Sequence, residues 1–201
     1  GTVTDFETLV RLANEYGAFL YVDEAHATGI YGHMGGGFTQ AFAKHIPCVL
    51  GTFSKALGSF GGFIGCSEDL KTYLLNRCQG LIYSSALPPA LLGAHLAALD
   101  LMPHLEEARS TLKRLSGYAK QAFARLPFAI TPSQSHIFGM IIPDIKQAES
   151  IQTQLKEAGF LVSLIRPPTV PVGTTRLRVS LSIKHSTKSI DGLANAMQQA
   201  L

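Results

Sequence analysis

Lys55 and Asp23 are the residues of this chain whose type and setting best suit chemistry. Lys55 lies in Gly51-Thr52-Phe53-Ser54-Lys55-Ala56-Leu57-Gly58-Ser59-Phe60-Gly61-Gly62, entered from the apolar run Cys48-Val49-Leu50. A lysine among small residues at the end of such a run is expected to lose part of its hydration and to serve as a nucleophilic amine. Gly58, Gly61 and Gly62 would let backbone pass close to a bulky planar group or a phosphate. Upstream, Ala18-Phe19-Leu20-Tyr21-Val22-Asp23-Glu24-Ala25-His26 predicts a buried strand that ends on an acid, with a histidine shortly after it. An amine nucleophile plus a strand-end carboxylate is the pair that pyridoxal 5′-phosphate chemistry requires. The lysine forms a Schiff base and the acid partners the pyridinium nitrogen.

Other residues have the right functional groups for such a site. The hydroxyls of Thr52 and Ser54 suit phosphate or cofactor oxygens. Ser84-Ser85-Ala86-Leu87-Pro88-Pro89 precedes a predicted helix, and hydroxyls and free amides at a helix N-terminus bind anions. Arg166 stands before Pro167-Pro168, in a stiff turn from which a guanidinium can grip a carboxylate with two parallel hydrogen bonds. Blander roles compete: Asp23 as a loop cap, Lys55 as a snorkelling surface lysine, Arg166 as a surface arginine. Arg176 and Arg178 alternate with Leu177 and Val179 and are expected to face solvent or pair with acids. Glu24 is assigned no catalytic role, and His33, His45 and His95 are expected to be structural or solvated. An apolar strand ending in Asp-Glu-Ala-His also suits a DEAH-type ATPase. That alternative needs a GxxxxGK[ST] phosphate loop, which the chain lacks, and leaves Lys55 and Arg166 without a purpose.

Three segments carry a family resemblance. They are Asp23-Glu24-Ala25-His26-Ala27-Thr28-Gly29 with Gly32 and Gly35-Gly36-Gly37; Thr52-Phe53-Ser54-Lys55-Ala56-Leu57-Gly58; and Ile165-Arg166-Pro167-Pro168-Thr169-Val170-Pro171-Val172-Gly173-Thr174-Thr175-Arg176-Leu177-Arg178. Together they resemble the α-oxoamine synthases, fold-type-I transferases that use pyridoxal 5′-phosphate. Those enzymes condense an amino acid with an acyl thioester and release carbon dioxide. The third segment is most similar to the biotin-pathway member, which joins L-alanine to a pimeloyl thioester carried on coenzyme A or acyl carrier protein. The relatives that share that chemistry with other acyl chains and amino acids are the alternatives.

The resemblance implies roles residue by residue. Lys55 holds the cofactor and, when freed, acts as general base at the substrate α-carbon. Asp23 keeps the ring nitrogen protonated, and His26 hydrogen-bonds the phenolic oxygen and helps to place substrate. Thr52 and Ser54 contact the cofactor, while Ser84 and Ser85 reach the phosphate bound by a neighbouring subunit in a homodimer. Arg166 binds the amino-acid carboxylate with Thr169 close by. No metal, nucleic acid or membrane partner is implied. Family members are roughly twice as long, with the cofactor-stacking residue in their N-terminal half. The 201 residues are therefore expected to be a C-terminal part that alone binds cofactor weakly and does not catalyse.

The elements that must position these residues follow from pattern. Hydrophobic residues make up 46% and charged residues 15% of the chain, as in a well-packed α/β protein. The net charge of +3 is too mild to argue for nucleic acid. Cys48, Cys66 and Cys78 lack metal-ligand spacing and suit free thiols in a reducing compartment, the cytoplasm. Strands are expected near 18–23, 47–53, 61–66 and 80–84. A capping box of Thr4 and Glu7 opens a helix that Gly17 ends, and Ser67 caps another through about Asn76. Pro88-Pro89 opens a long helix that Pro103 interrupts, and a further helix runs from Glu106 to Arg125. Strand 136–142, helix 144–158, strands 160–165 and 176–182, and helix 187–200 complete a compact α+β unit. Residues 1–103 are thus expected to be the later part of a large α/β cofactor-binding domain. Residues 104–201 are expected to be a small C-terminal α+β domain with its linking helix.

Overall fold

The structure is a computed structural model that describes residues 1–201. The chain divides into two compact units, Thr4–Glu106 and Glu107–Leu201, the latter including Gly1–Val3.

In Thr4–Glu106 the first helix, α1, spans Phe6–Tyr16. Its cap is Asp5 rather than the expected Thr4: the Asp5 carboxylate accepts hydrogen bonds from the Thr8 amide and hydroxyl. An aspartate in that place satisfies a free helix donor directly, so the capping box is not used. Gly17 ends the helix at φ 62°, as expected. Phe6, Val10 and Ala13 form the buried stripe, with Phe6 and Val10 clustering with Ile46, and Phe6 stacks on Phe42 at 5.7 Å.

Three strands follow: β1 (Tyr21–Asp23), β2 (Cys48–Thr52) and β3 (Gly62–Cys66), in the spatial order β1-β2-β3. β1 and β2 run parallel with Asp23 opposite Leu50. β3 returns antiparallel, with Cys48 opposite Cys66 and Thr52 opposite Gly62. β1 was expected to be buried, yet Tyr21 and Asp23 are exposed, because β1 lies at the edge of the sheet. Ser67 caps α2 (Glu68–Arg77) by accepting from the Leu70 amide, as its sequence predicts.

The strand expected near 80–84 is instead a single helical turn, α3 (Gln79–Ile82). The amides of Leu81 and Ile82 both bond back to the Cys78 carbonyl, and an apolar run that short does not distinguish helix from strand. Pro89 sits in the first turn of α4 (Pro89–Leu101), and Pro103 lies in a 3-10 turn, Met102–His104, that ends it.

The second unit has α5 (Glu106–Phe123), β4 (Ala129–Ile130), β5 (Ile137–Ile141), α6 (Ile145–Glu157), β6 (Ser163–Ile165), β7 (Arg176–Ser180) and α7 (Thr187–Gln199). Its sheet has the order β4-β5-β7-β6 and is antiparallel throughout. β4 has no counterpart in the sequence reading. It is two residues long and is defined only by pairing with Met140 and Ile141.

Alternation puts Phe138 and Met140 of β5 opposite Val179 and Leu177 of β7, all four buried. The helices meet them with Leu112, Leu115, Ala119 and Phe123 of α5, Ala148, Ile151 and Leu155 of α6, and Ile190, Leu193 and Met197 of α7. Each large side chain of this kind contributes about 1.5–3 kcal/mol when fully buried. Asp144 caps α6, and Ser186 with Ser189 forms a reciprocal capping box on α7. No helix is long and apolar enough to cross a membrane.

Candidate cofactor and substrate site

Parallel pairing of β1 and β2 sends both chains out at the same end of the sheet, the end where open α/β sheets bind their ligands. Asp23 is the last residue of β1, and the next amide, Glu24, still reaches the Leu50 carbonyl at 2.7 Å. β2 continues to Thr52, so Lys55 emerges three residues beyond its end. The two loops touch: a Cβ added at Gly29 would lie 3.1 Å from the Ala56 Cβ.

The loop after Asp23 is tied down by its own groups. The Asp23 carboxylate accepts from the Ala25 amide at 2.8 Å and turns the chain. Exposed His26 follows, and the Thr28 hydroxyl donates to the Glu24 carbonyl at 3.0 Å. Glu24 is buried, and its carboxylate accepts from the Thr39 amide and lies against Gly37. It closes the segment that runs from His26 to Thr39, a role its sequence neighbours do not reveal because its partner is 15 positions away. Gly32 is needed for the same closure: it has φ 77°, and a Cβ there would stand 2.0 Å from the Gly37 carbonyl oxygen.

The Lys55 loop is closed from within. The Phe53 amide donates to Gly61 at 2.9 Å, the Ser59 amide to Phe53 at 2.7 Å and the Gly58 amide to Lys55 at 3.1 Å. Thr52 Oγ1 donates to the Gly61 carbonyl at 2.9 Å and receives the Ser54 amide at 3.2 Å, with Ser54 Oγ at 2.8 Å. With its one proton given to Gly61, Thr52 takes its second acceptor contact from the Ser54 hydroxyl, and its hydrogen-bonding capacity is full. Ser59 Oγ, in contrast, is buried with no partner. Lys55 itself is exposed, which corrects the expectation that its neighbours would strip it of water. Those neighbours are too small to cover it, and a Cβ at Gly58 would meet nothing within 4 Å.

Ser84 and Ser85 do not form the expected helix-terminal anion site. The cap of α4 is Pro88, without a side-chain bond, and the exposed Ser84 hydroxyl turns back to the Leu81 carbonyl at 3.1 Å.

Arg166 and Thr169 belong to the other unit, directly after β6. The guanidinium already holds the Glu149 carboxylate of α6 at 2.8 Å, and the Thr169 amide donates to the Arg166 carbonyl at 3.1 Å. Arg176 donates to the carbonyl and hydroxyl of Thr174. Arg178 is half-buried, and its Nε is buried without a partner.

Comparison with known proteins adds the following. A family model described as aminotransferase class I and II matches residues 1–197. A relative from Paramagnetospirillum magneticum, provisionally named as an 8-amino-7-oxononanoate synthase, is 44% identical over 201 residues, which are 100% of this chain and 51% of its own length. The 8-amino-7-oxononanoate synthase of Gluconacetobacter diazotrophicus is 41% identical over 200 residues, covering 100% of this chain and 50% of its own. Among solved structures, the serine palmitoyltransferase of Sphingomonas wittichii superposes with a TM-score of 0.92 at 28% identity, over 100% of this chain and 51% of that one. The chain thus spans about half the length of the curated relatives it matches.

Proposed function

The chain belongs to the aminotransferase class I and II family, and on that premise we propose that it is the C-terminal part of a pyridoxal 5′-phosphate-dependent acyltransferase of the α-oxoamine synthase type. The reaction we assign joins L-alanine to a pimeloyl thioester, on coenzyme A or acyl carrier protein. It gives 8-amino-7-oxononanoate, carbon dioxide and free thiol in biotin biosynthesis. In this reading Thr4–Glu106 is the later part of the large cofactor-binding domain and Glu107–Leu201 the small C-terminal domain, in a cytoplasmic homodimer. The observation that carries it is the emergence of Asp23 and Lys55 from the carboxyl ends of adjacent parallel strands, on loops in contact. The likeness to a serine palmitoyltransferase supports a second reading, with the same acid and lysine but a different acyl chain and amino acid. A family match over residues 1–197 leaves no room for the DEAH-type alternative.

The residues present fit the cofactor. The donor set offers an exposed amine, a strand-end carboxylate, and a buried hydroxyl on Ser59 that lacks a partner in the very loop that carries the amine. Asp23 would hold the ring nitrogen, Lys55 would hold the group covalently, and the unpartnered Ser59 hydroxyl would donate to one of its oxygens; Ser54, whose proton goes to Thr52, would donate there only by releasing Thr52. Thr52 serves by holding the loop, because its own hydroxyl is already committed.

When bound, pyridoxal 5′-phosphate supplies an electron sink for the bonds that break at the amino-acid α-carbon. Asp23 keeps a proton on the ring nitrogen, which makes that sink deep. Lys55, as a free amine, takes the α-proton of the amino acid. Arg166 fixes the substrate carboxylate until it leaves as carbon dioxide.

The test is reductive trapping. The natural protein, loaded with pyridoxal 5′-phosphate, is reduced with borohydride and digested; the label should sit on the peptide containing Lys55 and vanish in Lys55→Ala. Label on a different lysine overturns the assignment. In the natural protein, thiol release from pimeloyl-coenzyme A should require L-alanine. Release with L-serine and palmitoyl-coenzyme A would favour the second reading.

A further inference from the structure

His95 is the one buried residue between Gly62 and Leu101, at 7% exposure. Along the rest of α4 the large apolar side chains Leu92, Leu96, Leu99 and Leu101 are exposed. Hydrophobicity therefore does not explain why a polar ring is the part of this helix that is covered. Two contacts do. His95 Nε2 lies 2.7 Å from the Phe60 carbonyl oxygen. That oxygen has no proton to give, so Nε2 is the donor and the tautomer is assigned by its partner. The ring also lies flat on Phe53, with centroids 3.8 Å apart and planes at 9°.

Phe53 and Phe60 flank the segment that carries Lys55. Phe53 starts it, immediately after β2, and also contacts Phe63 of β3, at 5.4 Å and 58°. Phe60 ends it, one residue before the Gly61 carbonyl that receives the Phe53 amide and the Thr52 hydroxyl. One side chain from 35 positions downstream therefore grips both ends of an exposed lysine loop.

We propose that His95 is a positioning residue for Lys55. It holds the loop from α4, so that the amine is presented from a fixed backbone. It touches no reacting atom and acts only through Phe53 and Phe60. This rests on Lys55 being the cofactor-bearing lysine and goes beyond it by naming what sets the stance of that lysine.

Three variants separate the contacts. His95→Phe keeps the stack and loses the hydrogen bond, His95→Gln keeps a donor and loses the ring, and His95→Ala loses both. Amide hydrogen exchange at Phe53 and Ser59 should quicken about tenfold in each single-contact variant, the size of one net hydrogen bond, and further in His95→Ala. Amides of α1 and of Glu107–Leu201 should keep their wild-type rates. A second readout is chemical: the ratio of Lys55 to Lys71 modification by acetic anhydride. That ratio should shift in His95→Ala and return part-way in His95→Phe. Loop exchange and labelling ratio unchanged in all three variants would overturn the proposal, as would exchange that rises equally across the chain. Borohydride trapping on wild type runs beside these. If it marks another lysine, the functional reading fails, while loop exchange still decides whether His95 holds the loop.

Discussion

Arg166 already carries a carboxylate, and that decides how a substrate would reach it. Its partner Glu149 is at 2.8 Å, but the two side chains are 59% and 47% exposed. Exposed pairs of this kind are worth about 0–1 kcal/mol. In the proposed role, a substrate carboxylate taking both prongs of the guanidinium fork would form a stronger contact and displace Glu149. Glu149→Gln, which removes the competitor, should therefore tighten L-alanine binding up to about fivefold. Arg166→Ala should weaken it, by about 2–5 kcal/mol where the bound substrate buries the charge pair. Calorimetric titration of the natural protein reads both effects. Equal affinities in wild type, Glu149→Gln and Arg166→Ala would remove Arg166 from the substrate site.

Two elements show how local geometry converts into stability. Gly17 and Gly32 both have positive φ, at 62° and 77°, but a Cβ at Gly17 meets open space while one at Gly32 meets the Gly37 backbone. Gly17→Ala should cost about 1–2 kcal/mol for the left-handed conformation alone. Gly32→Ala should cost clearly more, since the loop after His26 must open; urea midpoints measure the difference. In β2, burial raises the Cys48 thiol above its ordinary value, with Cys66 opposite it adding to the effect. A raised thiol stabilises the fold fully below the unfolded thiol's range, and that contribution is lost as pH climbs through the folded value. Stability should fall with rising pH in the alkaline range, and Cys48→Ala should flatten that slope in urea titrations at stepped pH.

Elements with punctuation were legible in advance: Gly17 at the end of α1, Ser67 before α2, Pro88-Pro89 before α4, and the alternating strands β5 and β7. Where long-range contact decides, the sequence was silent. α3 and β4 are too short for a pattern to form. Glu24 and His95 find their partners 15 and 35 positions away. The exposure of Lys55 depends on what lies over it, which flanking residues do not encode.

At the scale of the whole chain the two units differ in how much they bury. Glu107–Leu201 has fully buried Phe123, Met140, Leu155, Leu177 and Met197 at its centre, each at 0% exposure. In the other unit, Tyr73, Leu75, Tyr83, Leu92 and Leu96 are all exposed. Apolar surface of that extent favours association and weakens the fold. The chain should therefore unfold in two steps in urea, Thr4–Glu106 first, with hydrogen exchange identifying the order. An apolar dye should bind before the first step, and a single cooperative transition would refute this account. The sheet order has a further consequence, which lies in time. Lys55 sits inside the short β2–β3 hairpin, whereas β1 reaches β2 only across the loop that Glu24 must close. Short closures form before long ones. Asp23 leaves the ribosome before Lys55, yet it is Asp23 that should be placed last, after the amine's hairpin gives its strand a partner; pulsed hydrogen exchange protecting β1 before β2 and β3 would refute this order.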